Sequence, residues 1–153
     1  MSYYPPCPNL ELTVGNRCHS DKSTLSTLLQ DGVGGLSVKV AKDTDGLKKG
    51  EWIEVPPING ALVIIVGDIL QILSNGRYVS VEHRVRTTKI SSRVSIAVFT
   101  NPILSEKIGP LPLAVKDDVA FYREVSYLDY LVSTAHTGRR PLDFVENNNP
   151  AGF

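Results

Sequence analysis

Apolar and polar residues alternate in short runs along most of the chain, the two-residue period of strands whose successive side chains face opposite ways. Tyr3 and Tyr4 read as the end of a strand that Pro5 and Pro6 stop, because proline supplies no donor to a β-ladder. Residues 12–18 predict an extended run that delivers His19 at its end. Residues 24–30, rich in Leu and Thr, lead into Asp31-Gly32-Val33-Gly34-Gly35, a reversal of hairpin type. Strands are predicted over 36–40 and 51–55, around a polar loop at 41–50. Residues 61–66 are apolar on both faces, which predicts a central strand packed on two sides. Gly67 and Asp68 break it, and residues 69–73 predict a helical turn closed by Ser74-Asn75-Gly76. Two more strands are predicted over 79–86 and 93–100, separated by a polar loop. Many short strands with Gly and Pro turns predict an all-β core of sandwich or jelly-roll type.

Past Asn101-Pro102 the pattern changes. Pro110 and Pro112 mark a linker, and a helix is predicted from Ser126, as N-cap, through His136 to a stop at Gly138. Tyr127, Leu128, Leu131 and Val132 recur at helical spacing and form the face expected to pack on the barrel. His136 is read as capping carbonyls at the helix end, and the tail 147–153 as disordered. This divides the chain into a β core at 1–105, a C-terminal linker and helix at 106–146, and the tail.

Strand parity singles out the candidate chemistry. Val81, His83 and Val85 share one face, so His83 points where the valines point. Alone, an inward histidine is a core residue bonded to a backbone carbonyl. On the next strand Arg93, Ser95, Ala97 and Phe99 share a face, and an arginine turned toward an apolar interior is costly unless an anion pairs with it. That anion is either a protein carboxylate or a ligand. Arg93 with the Ser95 hydroxyl makes a charge-assisted seat for a carboxylate, to which Tyr4 could add its phenol. His19 and Asp21, two apart on a strand, share a face as well. With His83 they form a set of two imidazoles and one carboxylate suited to a non-haem ferrous iron with open positions. The same three ligand types also suit a zinc hydrolase, which leaves inward Arg93 and Ser95 unexplained.

Composition narrows the partner. At 153 residues the chain has the size of one domain. Its formal charge is zero, with acidic and basic residues interspersed, so nucleic acid and anionic membrane are disfavoured and a small-molecule ligand is expected. Two cysteines, Cys7 and Cys18, do not make a disulfide framework and read as reduced, packed thiols of a cytoplasmic protein. No apolar run reaches membrane-spanning length. Trp52 reads as a core residue. The sequence carries no signal of oligomeric state.

Taken in order, YYPPCP at 3–8, HSD at 19–21, LLQD and VGGL at 28–36, GALV and GD at 60–68, SNG at 74–76, SVEHRV at 80–85 and RVS at 93–95 resemble one family. The chain is similar to the catalytic half of a plant-type 2-oxoglutarate- and iron(II)-dependent dioxygenase. The resemblance implies a double-stranded β-helix, a jelly-roll of cupin type, over 1–105. It implies that His19, Asp21 and His83 bind Fe(II), that Arg93, Ser95 and Tyr4 hold the far carboxylate of 2-oxoglutarate, and that Phe99 faces a flat substrate. The resemblance further implies dioxygen as oxidant, release of succinate and carbon dioxide, and ascorbate as reductant. FTNP at 99–102, IGPLP at 108–112 and the Tyr127, Asp129-Tyr130 run are most similar to the coumaroyl- or feruloyl-CoA ortho-hydroxylase branch. An oxidase of the ethylene-forming kind shares the iron ligands and RxS. Ser2 and Ile65 stand where the family often has Asn, and Lys22 directly follows a ligand position. The chain opens almost inside a strand motif, so an upstream segment is expected, and without it a non-catalytic barrel with apolar surface left open.

Overall fold

The computed structural model describes residues 1–116, 119–133 and 140–147. They fall into two compact units, one built from Met1–Asp21, Ser26–Ile65 and Val81–Phe99, the other from Lys22–Leu25, Val66–Ser80 and the residues from Thr100 onward.

The first unit carries eight strands: β1 (Ser2–Tyr4), β2 (Asn16–His19), β3 (Leu25–Gln30), β4 (Leu36–Lys39), β5 (Trp52–Glu54), β6 (Leu62–Val66), β7 (His83–Val85) and β8 (Arg93–Thr100), of which only the terminal residues Leu25, Val66 and Thr100 belong to the second unit. They make two sheets, ordered β1-β8-β3-β6 and β2-β7-β4-β5. Successive strands thus pass mostly from one sheet to the other, the jelly-roll arrangement expected from the turn-rich pattern. Leu28 and Leu36 with Val85 form its buried cluster, and Tyr4, Val55, Val63 and Ala97 pack against it, so both sheets contribute to one core.

Three strands differ from the pattern reading. β6 lies at a sheet edge rather than at its centre, and its outward Leu62 and Ile64 are more than half exposed. Ile96 and Val98 of β8, Leu29 of β3 and Tyr3 of β1 are also exposed, so this sheet presents an apolar outer face. An apolar run reports that both faces avoid charge, not that both are covered. β2 begins only at Asn16, whose register partner Val85 is the last residue of β7. β7 is confined to His83–Val85, and upstream of it the Ser80 N–H donates to Gln71 Oε1 instead of joining a ladder.

The second unit holds α1 (Asp68–Leu73), β9 (Lys107–Ile108), β10 (Val125–Ser126) and α2 (Tyr127–Ser133). Ile69, Ile72, Ile108, Tyr122, Tyr127, Tyr130, Leu142 and Val145 form its buried core. Ser126 does cap α2, its Oγ accepting from the Asp129 N–H at 3.0 Å. The buried face of the helix is Tyr127 and Tyr130, whereas Leu128 and Val132 of the expected stripe are 48% and 56% exposed. Tyr130 is favoured inside because its hydroxyl has a partner, donating to Asp68 Oδ2 at 2.7 Å. Burial and the Asp68 charge both push that phenol far above its usual range, so it stays a donor at any physiological pH. Tyr130→Phe is therefore expected to lower stability by about 1–2 kcal/mol, read as a lower urea midpoint. The expected helix end at His136 and Gly138, and the tail from Asn148, lie outside the described residues.

Candidate metal centre

β2 and β7 run antiparallel and place His19 directly opposite His83, with a register shift between Asn16 and His19. The two rings stand 4.3 Å apart between centroids, tilted by 53°. β7 is held on its other side by β4, where Val38 pairs His83, so this ligand position is fixed from both neighbours. Asp21, just past the end of β2, brings Oδ1 to 3.6 Å from His19 Nε2 and 3.6 Å from His83 Nε2. These separations are too long for hydrogen bonds and suit three ligands around one ion. Asp21 and His83 are buried, and His19 is 36% exposed, so the centre opens on the His19 side.

Backbone carbonyls fix the imidazoles. His19 Nδ1 lies 2.7 Å from the Arg17 carbonyl oxygen and His83 Nδ1 3.4 Å from that of Val81. A carbonyl only accepts, so a proton on each Nδ1 satisfies it and leaves each Nε2 as the candidate ligand atom on the Asp21 side. The donor set fits a first-row divalent metal: two neutral imidazoles and one carboxylate, oriented by bonds behind them, their candidate ligand atoms all within 4.8 Å of one another.

The second half of the site lies on β8 and its neighbours. Arg93 is fully buried, as is most of Ser95. Its guanidinium donates from Nη1 to Ser95 Oγ at 3.0 Å and from Nη2 to Gln30 Oε1 at 2.9 Å. Tyr4, the register partner of Arg93, places its ring 5.4 Å beneath the guanidinium carbon. Among the described residues no carboxylate comes within 4.0 Å of Arg93. Burial pulls the Arg93 pKa down, while Tyr4 and Asp31 work against that, and guanidinium remains a cation at neutral pH. Asp31 itself is spent on the backbone: Oδ1 accepts from Val33 N–H and Oδ2 from Val94 N–H. Burial is the largest single influence and raises its pKa, but the backbone hydrogen bonds and the Arg93 charge together hold the carboxyl below its usual range. The structure thus leaves a buried cation whose hydrogen-bond partners, Ser95 and Gln30, are neutral.

Gln30 was not singled out by sequence reasoning. A parity signal exists, since Ser26, Leu28 and Gln30 share the inward face of β3, but its partner is 63 residues away. Phe99 stands near the outer end of β8, about half exposed, on the Arg93 face. Ser2 pairs in register with Ser95 and is exposed, and Ile65 is buried. Of the remaining residues, Cys7 is half-buried and donates to Thr13 Oγ1 at 3.0 Å, whereas Cys18 is exposed rather than packed, because its strand turns it to the solvent side of the sheet. Both thiols are free. Trp52 is half-buried rather than core, with the Arg84 guanidinium 3.9 Å over its ring. No described helix is long and apolar enough to cross a membrane.

Comparisons with known proteins bear on this geometry. A family model described as the 2OG-Fe(II) oxygenase superfamily matches residues 1–102. Over 94% of its length the chain is 56% identical to scopoletin 8-hydroxylase of Arabidopsis thaliana, and over 97% it is 51% identical to a feruloyl CoA ortho-hydroxylase of Ipomoea batatas. It spans 40% and 41% of those relatives' lengths. Among solved structures, JOX2 in complex with 2OG, Fe and JA superposes with a TM-score of 0.81 at 35% identity, covering 95% of this chain and 42% of that one. A rice dioxygenase for auxin oxidation gives a TM-score of 0.81 at 31% identity, covering 95% and 49%.

Proposed function

Since the chain belongs to the 2OG-Fe(II) oxygenase superfamily, we propose that its 1–105 portion is the catalytic core of a dioxygenase that oxidises a small plant phenylpropanoid, with 106–146 as a C-terminal linker and helix. The relatives named for scopoletin and feruloyl-CoA support a hydroxylated aromatic or its thioester as the substrate class. His19, Asp21 and His83 hold Fe(II), and Arg93 with Ser95 and Tyr4 holds the far carboxylate of 2-oxoglutarate. Bound together, Fe(II) and 2-oxoglutarate supply dioxygen activation coupled to decarboxylation, which releases succinate and carbon dioxide. The chain's residues supply position and charge. Asp21 offsets part of the metal charge, the Arg17 and Val81 carbonyls keep the imidazoles in the ligating tautomer, and Arg93 orients the co-substrate. Phe99 offers an exposed aromatic face to a flat substrate. Ascorbate serves as external reductant. Free thiols suit a cytoplasmic setting, with a small molecule as partner.

The observation that carries this reading is Arg93: a buried cation with no carboxylate partner, in the same compact unit as a convergent His-Asp-His trio. A buried charge held only by neutral groups is expensive unless an external anion completes it. Arg93→Met is expected to weaken 2-oxoglutarate binding by about a hundredfold while leaving the urea midpoint unchanged or higher. Equal loss of stability and binding would mark Arg93 as structural. Purified chain with Fe(II), 2-oxoglutarate and dioxygen should form succinate above a His83→Ala control. Failure to exceed that control favours a non-catalytic barrel.

A further inference from the structure

Gln30, within the LLQD stretch, accepts a hydrogen bond from Arg93 across to a strand other than the arginine's own, and the sequence assigns it no role. Arg93 can only donate, so the carbonyl end of the Gln30 amide must face it, and the bond from Nη2 fixes the amide's orientation. Gln30 Nε2 is then left buried without a partner, and so is Arg93 Nε. A buried guanidinium with its Nε–H unpaired, next to a buried amide nitrogen also without an acceptor, forms a deficit of negative charge and of acceptors at the same place.

The natural residue to stabilise a buried arginine is glutamate, which would form a bidentate ion pair. Glutamine has the same length and shape and no charge. The carboxylate next door, Asp31, is engaged by the backbone N–H groups of Val33 and Val94. Every contact that Arg93 makes in its own pocket is therefore neutral: Ser95 Oγ, Gln30 Oε1 and the Tyr4 ring.

We propose that Gln30 is a positioning residue for the co-substrate: it pins the Arg93 guanidinium in one orientation without spending its charge, which is thereby reserved for the far carboxylate of 2-oxoglutarate. The role rests on the function proposed above and adds a residue to it. Its physical content is that position 30 sets whether the anion of Arg93 is internal or external. A carboxylate there would occupy the arginine and close the site, and an apolar side chain would leave the guanidinium held on one side only.

The test compares wild type, Gln30→Glu and Gln30→Met, each loaded with Co(II), by calorimetric titration with 2-oxoglutarate and with 2-oxobutyrate, which lacks the far carboxylate. Gln30→Glu is expected to lower 2-oxoglutarate affinity by about a hundredfold, leave 2-oxobutyrate and Co(II) affinity within about twofold, and raise the melting temperature. Gln30→Met, which adds no charge, is expected to lower 2-oxoglutarate affinity by about tenfold and supplies the test should the glutamate variant fail to fold. Losing both oxoacids equally, or neither, in a folded variant overturns the role. Wild type that binds Co(II) but no 2-oxoglutarate overturns the parent function as well, so the two failures are separable.

Discussion

Asp21→Ala is expected to abolish stoichiometric Fe(II) binding, and His83→Ala to weaken it by more than about a hundredfold. Substitutions behind a metal's ligands already cost about 10–100-fold, and these remove a ligand itself. Asp21 matters most because it is the only anion in the trio and its Oδ1 faces both Nε2 atoms at 3.6 Å. Without it two neutral imidazoles share a divalent charge in a buried place. His83 is fixed by β2 on one side and β4 on the other, so its loss cannot be made good by a neighbouring donor shifting in. Anaerobic calorimetry with Fe(II) reads both changes.

Gly35→Ala is expected to destabilise the β-core by about 3 kcal/mol or more, seen as a large drop in the urea midpoint. Gly35 has φ of +122°, a conformation L side chains avoid, and a Cβ there would sit 2.5 Å from the Arg86 carbonyl oxygen. Its own carbonyl accepts from the Arg86 N–H at 2.9 Å, the bond with which β4 and β7 begin to pair. Relieving the clash moves β7 away from β4 and, with it, His83 away from Val38. Metal affinity should fall together with stability, which distinguishes this variant from His83→Ala, where stability is largely kept.

Much of this was legible along the chain because strand parity is a local signal. Arg93–Thr100 starts and ends where alternation predicts, and the inward set His83, Val85, Arg93 and Ser95 follows from counting by twos. The jelly-roll order was legible only as a fold class, since pairings such as β1 with β8 join residues about ninety positions apart. Gln30 escaped notice for the same reason: its function lies in a partner 63 residues on. The outward face of β6 and the buried face of α2 were misjudged because hydrophobicity alone cannot tell an uncovered apolar face from a covered one. At Tyr130 a hydrogen bond to Asp68 outweighed the aliphatic stripe. The short β2 and β7 reflect a shared ladder that ends at the Asn16–Val85 pair and a Ser80 N–H drawn to Gln71, neither of which periodicity registers.

The most direct test is an anaerobic titration of the 153-residue chain with Fe(II), followed by 2-oxoglutarate. One Fe(II) per chain is expected, lost in His83→Ala, with 2-oxoglutarate binding only to the metal-loaded chain and lost in Arg93→Met. Equal Fe(II) affinity in wild type and His83→Ala would contradict it.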